Sequence, residues 1–251
     1  MASARPFQNP KEPVDGNESE SDTLNSSVRF HDRIAAEWDR KYTKTSFHSR
    51  QIAFEKCLPS EHLSGRWLDA GCGTGFLSRW IADKGATVES VDLAPKMLAL
   101  FSHHRRRYER KHRLKEPQIA NVAFLPYSAE TFDGVLCSSV LEYVDDPAAV
   151  LKEFRRVLVP GGWLAVSVPN RVSLLRRGLE TTFNLTRLFG KPWPAYIEFS
   201  VHRHTVTEFQ DLLNSCGFES SGFAGCGTSL PGLKNTPLGW SLLVFGAIKK
   251  A

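Results

Sequence analysis

Three glycines at alternate positions, Gly71, Gly73 and Gly75, separate a short apolar run from an amphipathic one. The run before them, Arg66–Ala70, reads as a strand. After them Phe76, Leu77, Trp80 and Ile81 mark one face of a helix that Gly85 stops. Backbone without a Cβ can turn that tightly from strand to helix and still let a ligand come close. A chain built this way lays a helix over a sheet, and the sequence repeats the alternation.

Thr87–Val91 reads as a second strand, and Pro95 opens a helix through Met97, Leu98 and Phe101. Val122–Leu125 and Asp133–Ser138 supply two more strands. Asp146 caps a helix with Pro147 at its first position and Val150, Leu151, Phe154, Val157 and Leu158 on one face. Pro160-Gly161-Gly162 ends that helix and feeds a strand over Trp163–Val168. Thr205-Val-Thr-Glu208 is a capping box for a helix that Gly217 stops. Two closing strands, near Glu219–Ala224 and Leu242–Ile248, are expected to pair antiparallel. The implied fold class is α/β, a mostly parallel sheet with helices on both faces.

Upstream, Val28, Phe30, Ile34, Ala35, Trp38 and Tyr42 recur at helical spacing and predict an amphipathic helix over 28–42. Residues 1–27 are polar, without the apolar stretch of a secretory signal, and read as a disordered tail. The domain is then 28–251, with 171–203 a long insertion between the fifth strand and the capping box. At 251 residues and 41% hydrophobic, one domain is favoured over two. No apolar run approaches the ~18 residues of a membrane-spanning helix. Five scattered cysteines without a CxxC pair argue against disulfides or structural zinc, so a cytoplasmic location is expected. The net charge of +5 is mild and only hints at an anionic partner.

The glycine spacing narrows the ligand. A dinucleotide loop is GxGxxG, and here its third glycine would fall on Phe76. The actual pattern is GxGxG preceded by Asp69, a carboxylate that suits an ammonium group and would repel a pyrophosphate. About twenty residues on, Asp92 ends the second strand, where a carboxylate can accept both hydroxyls of a ribose.

These residues resemble the class I S-adenosylmethionine-dependent methyltransferases, type 11-like. LDAGCGTG is close to that family's first motif. Leu125-Pro126-Tyr127 before Phe132-Asp133-Gly-Val, Leu141-Glu-Tyr-Val-Asp-Asp-Pro and Leu158-Val-Pro-Gly-Gly extend the match. Phe30-His-Asp-Arg-Ile-Ala-Ala-Glu-Trp38 and Ser167-Val-Pro-Asn-Arg171 make it most similar to the branch with the ubiquinone-biosynthetic O-methyltransferases. The resemblance implies a seven-stranded Rossmann-like sheet and S-adenosyl-L-methionine as cofactor. It implies that Gly71 and Gly73 admit the methionyl part, that Asp69 sits near its amino group, and that Arg50 meets its carboxylate. A solvated helix charge is the equal alternative for Arg50. Asp92 would hold the ribose, with Leu93 and Met97 beside the adenine. Asn121 stands where many relatives carry an Asp near the adenine amine, and Ser138 would present backbone near the methionyl chain.

A hydroxyl acceptor must lose a proton, and with a phenol pKa of about 10 a nearby base would help. His202 and His204, in Ser-Val-His-Arg-His-Thr, are the catalytic candidates, with His31 on the N-terminal helix a third. Where the ubiquinone-pathway relatives carry an acid, an acid and a His, this chain has Ser139, Glu142 and Tyr143. One carboxylate is too few for a hard divalent ion, so a metal-independent reaction is expected.

The insertion mixes apolar residues such as Leu185, Leu188, Phe189 and Trp193 with Arg176, Arg177, Arg187 and Lys191. It reads as a helical cap with its own small core, or as an apolar substrate chamber that shares its surface with a membrane or lipid-linked acceptor. The basic cluster His103–Lys115, expected to extend the helix after the second strand, has only Tyr108 as an interleaved aromatic. With no recognisable RNA module beside it, the cluster reads as a solvated face rather than an RNA site, and no DNA partner is expected. The sequence therefore predicts methyl transfer, at oxygen, to a small apolar or lipid-linked acceptor. RNA or protein methylation and a non-catalytic cofactor-binding partner are the alternatives.

Overall fold

The computed structural model describes residues 18–41, 45–227, 232–233 and 236–250. Strands β1 (Arg66–Ala70), β2 (Thr87–Asp92), β3 (Gln118–Ile119), β4 (Phe132–Ser138), β5 (Leu158–Pro169), β6 (Phe218–Cys226) and β7 (Leu242–Lys249) form one sheet. Their order is β3-β2-β1-β4-β5-β7-β6. Strands β1 to β5 pair in parallel, and β7 runs antiparallel to β5 and β6. Helices α1 (Glu18–Lys41), α2 (Thr45–Cys57), α3 (Phe76–Asp83), α4 (Pro95–Arg107), α5 (Pro147–Val157), α6 (Leu174–Leu188) and α7 (Val206–Ser215) complete the α/β architecture.

Strand alternation sends successive side chains to two separate cores. On one face Leu68 and Val135 meet Leu151 and Phe154 of α5 and Phe209 of α7. On the other, Trp67 and Leu136 meet Phe54 of α2 and Trp80 and Ile81 of α3. Gly134 in β4 makes room for Trp67, since a Cβ there would lie 2.2 Å from the indole Cε2. The expected caps form. Asp146 accepts from the amides of Ala148 and Ala149 at 2.8 and 3.1 Å, and Thr205 and Glu208 exchange both bonds of the capping box.

Four expectations differ from the structure. Helix α1 begins at Glu18, so 18–27 of the expected tail are helical, while residues 1–17 and Tyr42 lie outside the described residues. The strand expected at Val122–Leu125 is a turn: Asn121 Oδ1 accepts from Ala123 N (2.9 Å), and Phe124 is 80% exposed. The neighbour of β2 is instead the two-residue β3. Pro160-Gly161-Gly162 lies within β5, which begins at Leu158, and the pairing with β4 shifts register between Phe132 and Gly134. Finally, α4 stops at Arg107, and a short 3-10 turn over Lys111–Arg113 carries the rest of the basic cluster. Ion pairs Arg105–Glu116 and Arg110–Asp83 absorb part of its charge.

Candidate active site

Strand order reverses between β1 and β4, which opens a crevice beyond their carboxyl ends, the usual place for a ligand in an open α/β sheet. A cleft of about 1010 Å³, its open mouth included, occupies that position. All the residues expected on the cofactor side line it: Arg50, Asp69, Gly71, Gly73, Asp92, Leu93, Met97, Asn121 and Ser138.

The glycine turn forms its floor. Gly71 and Gly73 have φ of 80° and 53°, and the amides of Gly71 and Cys72 bond to the Val91 carbonyl at 2.8 and 3.0 Å. A Cβ on Gly71 would lie 2.2 Å from Val140 Cγ2, so both conformation and space demand glycine. Asp92 accepts from Gly73 N through one carboxylate oxygen and from Ala94 N through the other, each at 2.8 Å. Burial raises its pKa, and those two amides oppose the rise. Asp69 is 2% exposed, and Ser78 donates to it at 2.5 Å. Burial pushes its carboxyl up to about 7 despite that bond, and the Asp92 charge adds to the rise. A cationic ligand group would relieve both carboxylates.

Arg50, on α2, stacks on Phe47 with Cζ 5.0 Å from the ring centroid, and Nη1 donates to Ser138 Oγ at 3.3 Å. Its Nε is buried with no hydrogen-bond partner. An orphaned guanidinium donor at the cleft fits an anionic group arriving with a ligand. Two acidic side chains, a bare backbone turn and this donor together fit the amino-acid and ribose parts of S-adenosylmethionine.

The cleft also has an apolar and aromatic lining, from Val28 and Trp38 of α1, Phe47 of α2, and Tyr143 and Val144 after β4. In sequence Tyr143 is marked only by its place in the metal-ligand comparison, and no local signal marks Phe47. Phe47 is visible in sequence only once α2 is known to pack over the glycine turn. His31 also lines the cleft. His202 and His204 are not among the lining residues. The amide of His204 bonds to Pro169 O at 3.1 Å, its carbonyl accepts from Arg171 N, and its ring packs 5.2 Å from Phe209. These bonds bridge the segment to the end of β5. His202 N instead reaches Glu142 O at 3.5 Å. Glu142 is itself buried outside the lining, its Oε2 is unpartnered, and burial pushes its pKa to about 7. Among the described residues, no group of three or more His, Cys, Asp or Glu is placed to hold a metal ion.

The strand order and the cleft at its switch point are those of a Rossmann-like α/β domain. Residues 68–166 match the Methyltransferase domain family. Ubiquinone biosynthesis O-methyltransferase of Marinobacter nauticus is 35% identical over 155 residues, covering 59% of this chain and 65% of the relative. That of Paracidovorax citrulli is 39% identical over 106 residues, or 42% and 44%. The chain thus spans less than two thirds of the length of these relatives. Among solved structures, a Thermotoga maritima protein described as a possible histamine N-methyltransferase aligns with a TM-score of 0.66. It is 22% identical over 89% of this chain and all of that one. A Burkholderia thailandensis 1,6-didemethyltoxoflavin-N1-methyltransferase, bound to S-adenosylhomocysteine, gives 0.64 at 20% identity over 95% and 94%.

Proposed function

We propose that this chain transfers the methyl group of S-adenosylmethionine to the oxygen of a small, largely apolar or lipid-linked acceptor, without a metal ion. The observation that carries the reading is convergence: Asp69, Asp92, the glycine turn and the orphaned Nε of Arg50 meet in one cleft. In this reading Arg50 takes the cofactor carboxylate, Asp69 its ammonium group and Asp92 the ribose hydroxyls. Leu93, Met97 and Asn121 border the adenine. Bound there, the cofactor supplies an electrophilic methyl group on a sulfonium. The protein's share is to hold the two reactants in line and keep water out, which is where most of the rate of such a displacement arises.

The aromatic wall of Trp38, Phe47 and Tyr143 supports an apolar acceptor. The triad Ser139, Glu142, Tyr143 offers too few oxygen anions for a divalent ion, which supports a metal-independent route and disfavours a ubiquinone-type catechol. A lipid-linked acceptor is supported by α6. Leu185, Leu188 and Phe189, one helical face at i, i+3 and i+4, are 55%, 80% and 82% exposed, and Trp193 beside them is 61% exposed. Exposed Arg187 and Lys191 flank them, the composition of a segment that rests on an anionic lipid surface.

Calorimetry with S-adenosylhomocysteine tests the cofactor half. Release of S-adenosylhomocysteine during incubation with lipid extract, RNA or small phenols tests the acceptor half. Absence of binding overturns the reading, and turnover on RNA alone overturns the acceptor class.

A further inference from the structure

We propose that His31 is the general base of this site, taking the proton of a hydroxyl acceptor on Nε2. The inference rests on the methyl-transfer reading above and adds to it the group that makes an oxygen acceptor nucleophilic.

The geometry sets the tautomer. His31 Nδ1 lies 2.8 Å from the Ser27 carbonyl oxygen, one turn back on α1. A carbonyl only accepts, so Nδ1 carries the proton and the neutral ring keeps its lone pair on Nε2. Nε2 has no protein partner among the described residues, and the imidazole lines the cleft. The ring is set among aromatic edges: Tyr143 at 4.9 Å, Phe30 at 5.3 Å and Trp38 at 6.0 Å between centroids. An aromatic or alkyl hydroxyl compound suits such a wall.

The position of α1 is fixed independently of any ligand. Asp32 Oδ1 accepts from Lys96 N at 2.8 Å, in the first turn of α4. Ala94, the residue capping α4, has no side-chain acceptor of its own, so α1 lends that helix its cap. The latch ties His31 to the stretch that follows Asp92.

The other titratable groups at the cleft are less suited. Both oxygens of Asp92 hold backbone amides, Asp69 is held under the glycine turn by Ser78, and burial raises the Tyr143 hydroxyl and Cys72 thiol well above their ordinary ranges. Around His31 itself stand Asp92 at the end of β2, Tyr143 after β4, Arg50 on α2, and Asp32 and Arg33 on its own helix. Burial holds the imidazole below its ordinary 6.5, against the hydrogen bond to Ser27 and the Asp92 charge. It is therefore neutral, and basic at Nε2, near pH 7.

The step balances. The acceptor's O–H proton passes to Nε2 while an oxygen lone pair forms the bond to the methyl carbon. The C–S bond breaks with its electron pair left on sulfur. The products are the methyl ether and S-adenosylhomocysteine, and the imidazolium then returns its proton to water.

Three measurements on the full chain test this. In 15N-histidine spectra of the unliganded protein, the signals lost in His31→Asn should show Nδ1 protonated, Nε2 bare and titration below pH 6.5. A proton on Nε2 overturns the proposal. Asparagine can still donate to the Ser27 carbonyl, so His31→Asn should keep S-adenosylhomocysteine affinity and thermal midpoint, yet lower kcat on alkyl-substituted phenols at least 100-fold. It should also lose the rise of kcat with pH expected of wild type below neutrality. A kcat within threefold of wild type, or an unchanged pH limb, overturns the base role. Failure to bind S-adenosylhomocysteine overturns the methyl-transfer reading instead. Binding without turnover on any phenol, but with turnover on amines, overturns the hydroxyl class and with it the need for His31.

Discussion

Asp92 uses both carboxylate oxygens on backbone amides, Gly73 on one side and Ala94 on the other. Its lone pairs are pre-aimed along the rim of the glycine turn before any sugar arrives. Asp92→Ala should therefore weaken S-adenosylhomocysteine binding at least tenfold, about 1.4 kcal/mol, in calorimetry, and unchanged affinity would refute the ribose role. Glu142 is a different kind of acid: buried, outside the cleft, with Oε2 unpartnered. Its pKa is about 7 in the fold against an ordinary 4.5. The folded state thus binds its proton more tightly than the unfolded state. The stability this gives is complete below pH 4.5 and is lost as pH rises through 7. Glu142→Gln removes the titration, so its stability relative to wild type should rise by up to about 3 kcal/mol between pH 4.5 and 8 in urea unfolding. A pH-independent difference would show that the buried carboxyl is not the source.

At the element scale, the turn from β1 to α3 is the least tolerant joint. Gly71→Ala puts a methyl group at positive φ and against Val140 Cγ2, and should cost about 1–3 kcal/mol with loss of cofactor binding. A variant with wild-type affinity would mean that the turn is more plastic than its contacts suggest. Helix α5 offers a cleaner case. Asp146→Ala removes the oxygen that accepts from two amides outside the cleft lining and should cost about 1 kcal/mol in urea unfolding without changing cofactor affinity. Both elements are legible in sequence because their signals are local: a cap, a proline at the first position, an apolar face. Val122–Leu125 misleads for a physical reason. Its apolar residues resemble a strand, but Asn121 bends its own backbone through an Asx turn, and the sheet is completed by Gln118 and Ile119 instead.

Across the whole molecule, no helix among the described residues is long and apolar enough to cross a membrane. The exposed face of α6 with Trp193 is the feature that would bring the cleft to a lipid surface. Replacing Leu188 and Phe189 together by Glu should abolish flotation with anionic vesicles while leaving S-adenosylhomocysteine affinity intact. Equal flotation of wild type and variant would assign the face to something other than lipid. That separation of functions is expected because α6 contributes no residue to the cleft lining.

Most of the strand and helix alternation and the glycine turn followed from spacing along the chain, while Arg50, Leu93, Met97, Asn121 and Ser138 were reached through the family resemblance. Gly71, Gly73, Asp69 and Asp92 lie within one β-α-β stretch, so their meeting was written into local order. Which further residues join them at the cleft was decided only by tertiary packing. His204 has the residue type of a base, yet its bridge to the end of β5 turns it toward Phe209, while His31 is brought to the cleft by a helix docked on α4 through Asp32. A hydrogen bond between residues 64 apart leaves no periodicity to read, and so this part of the cleft lining emerges only when the helices pack.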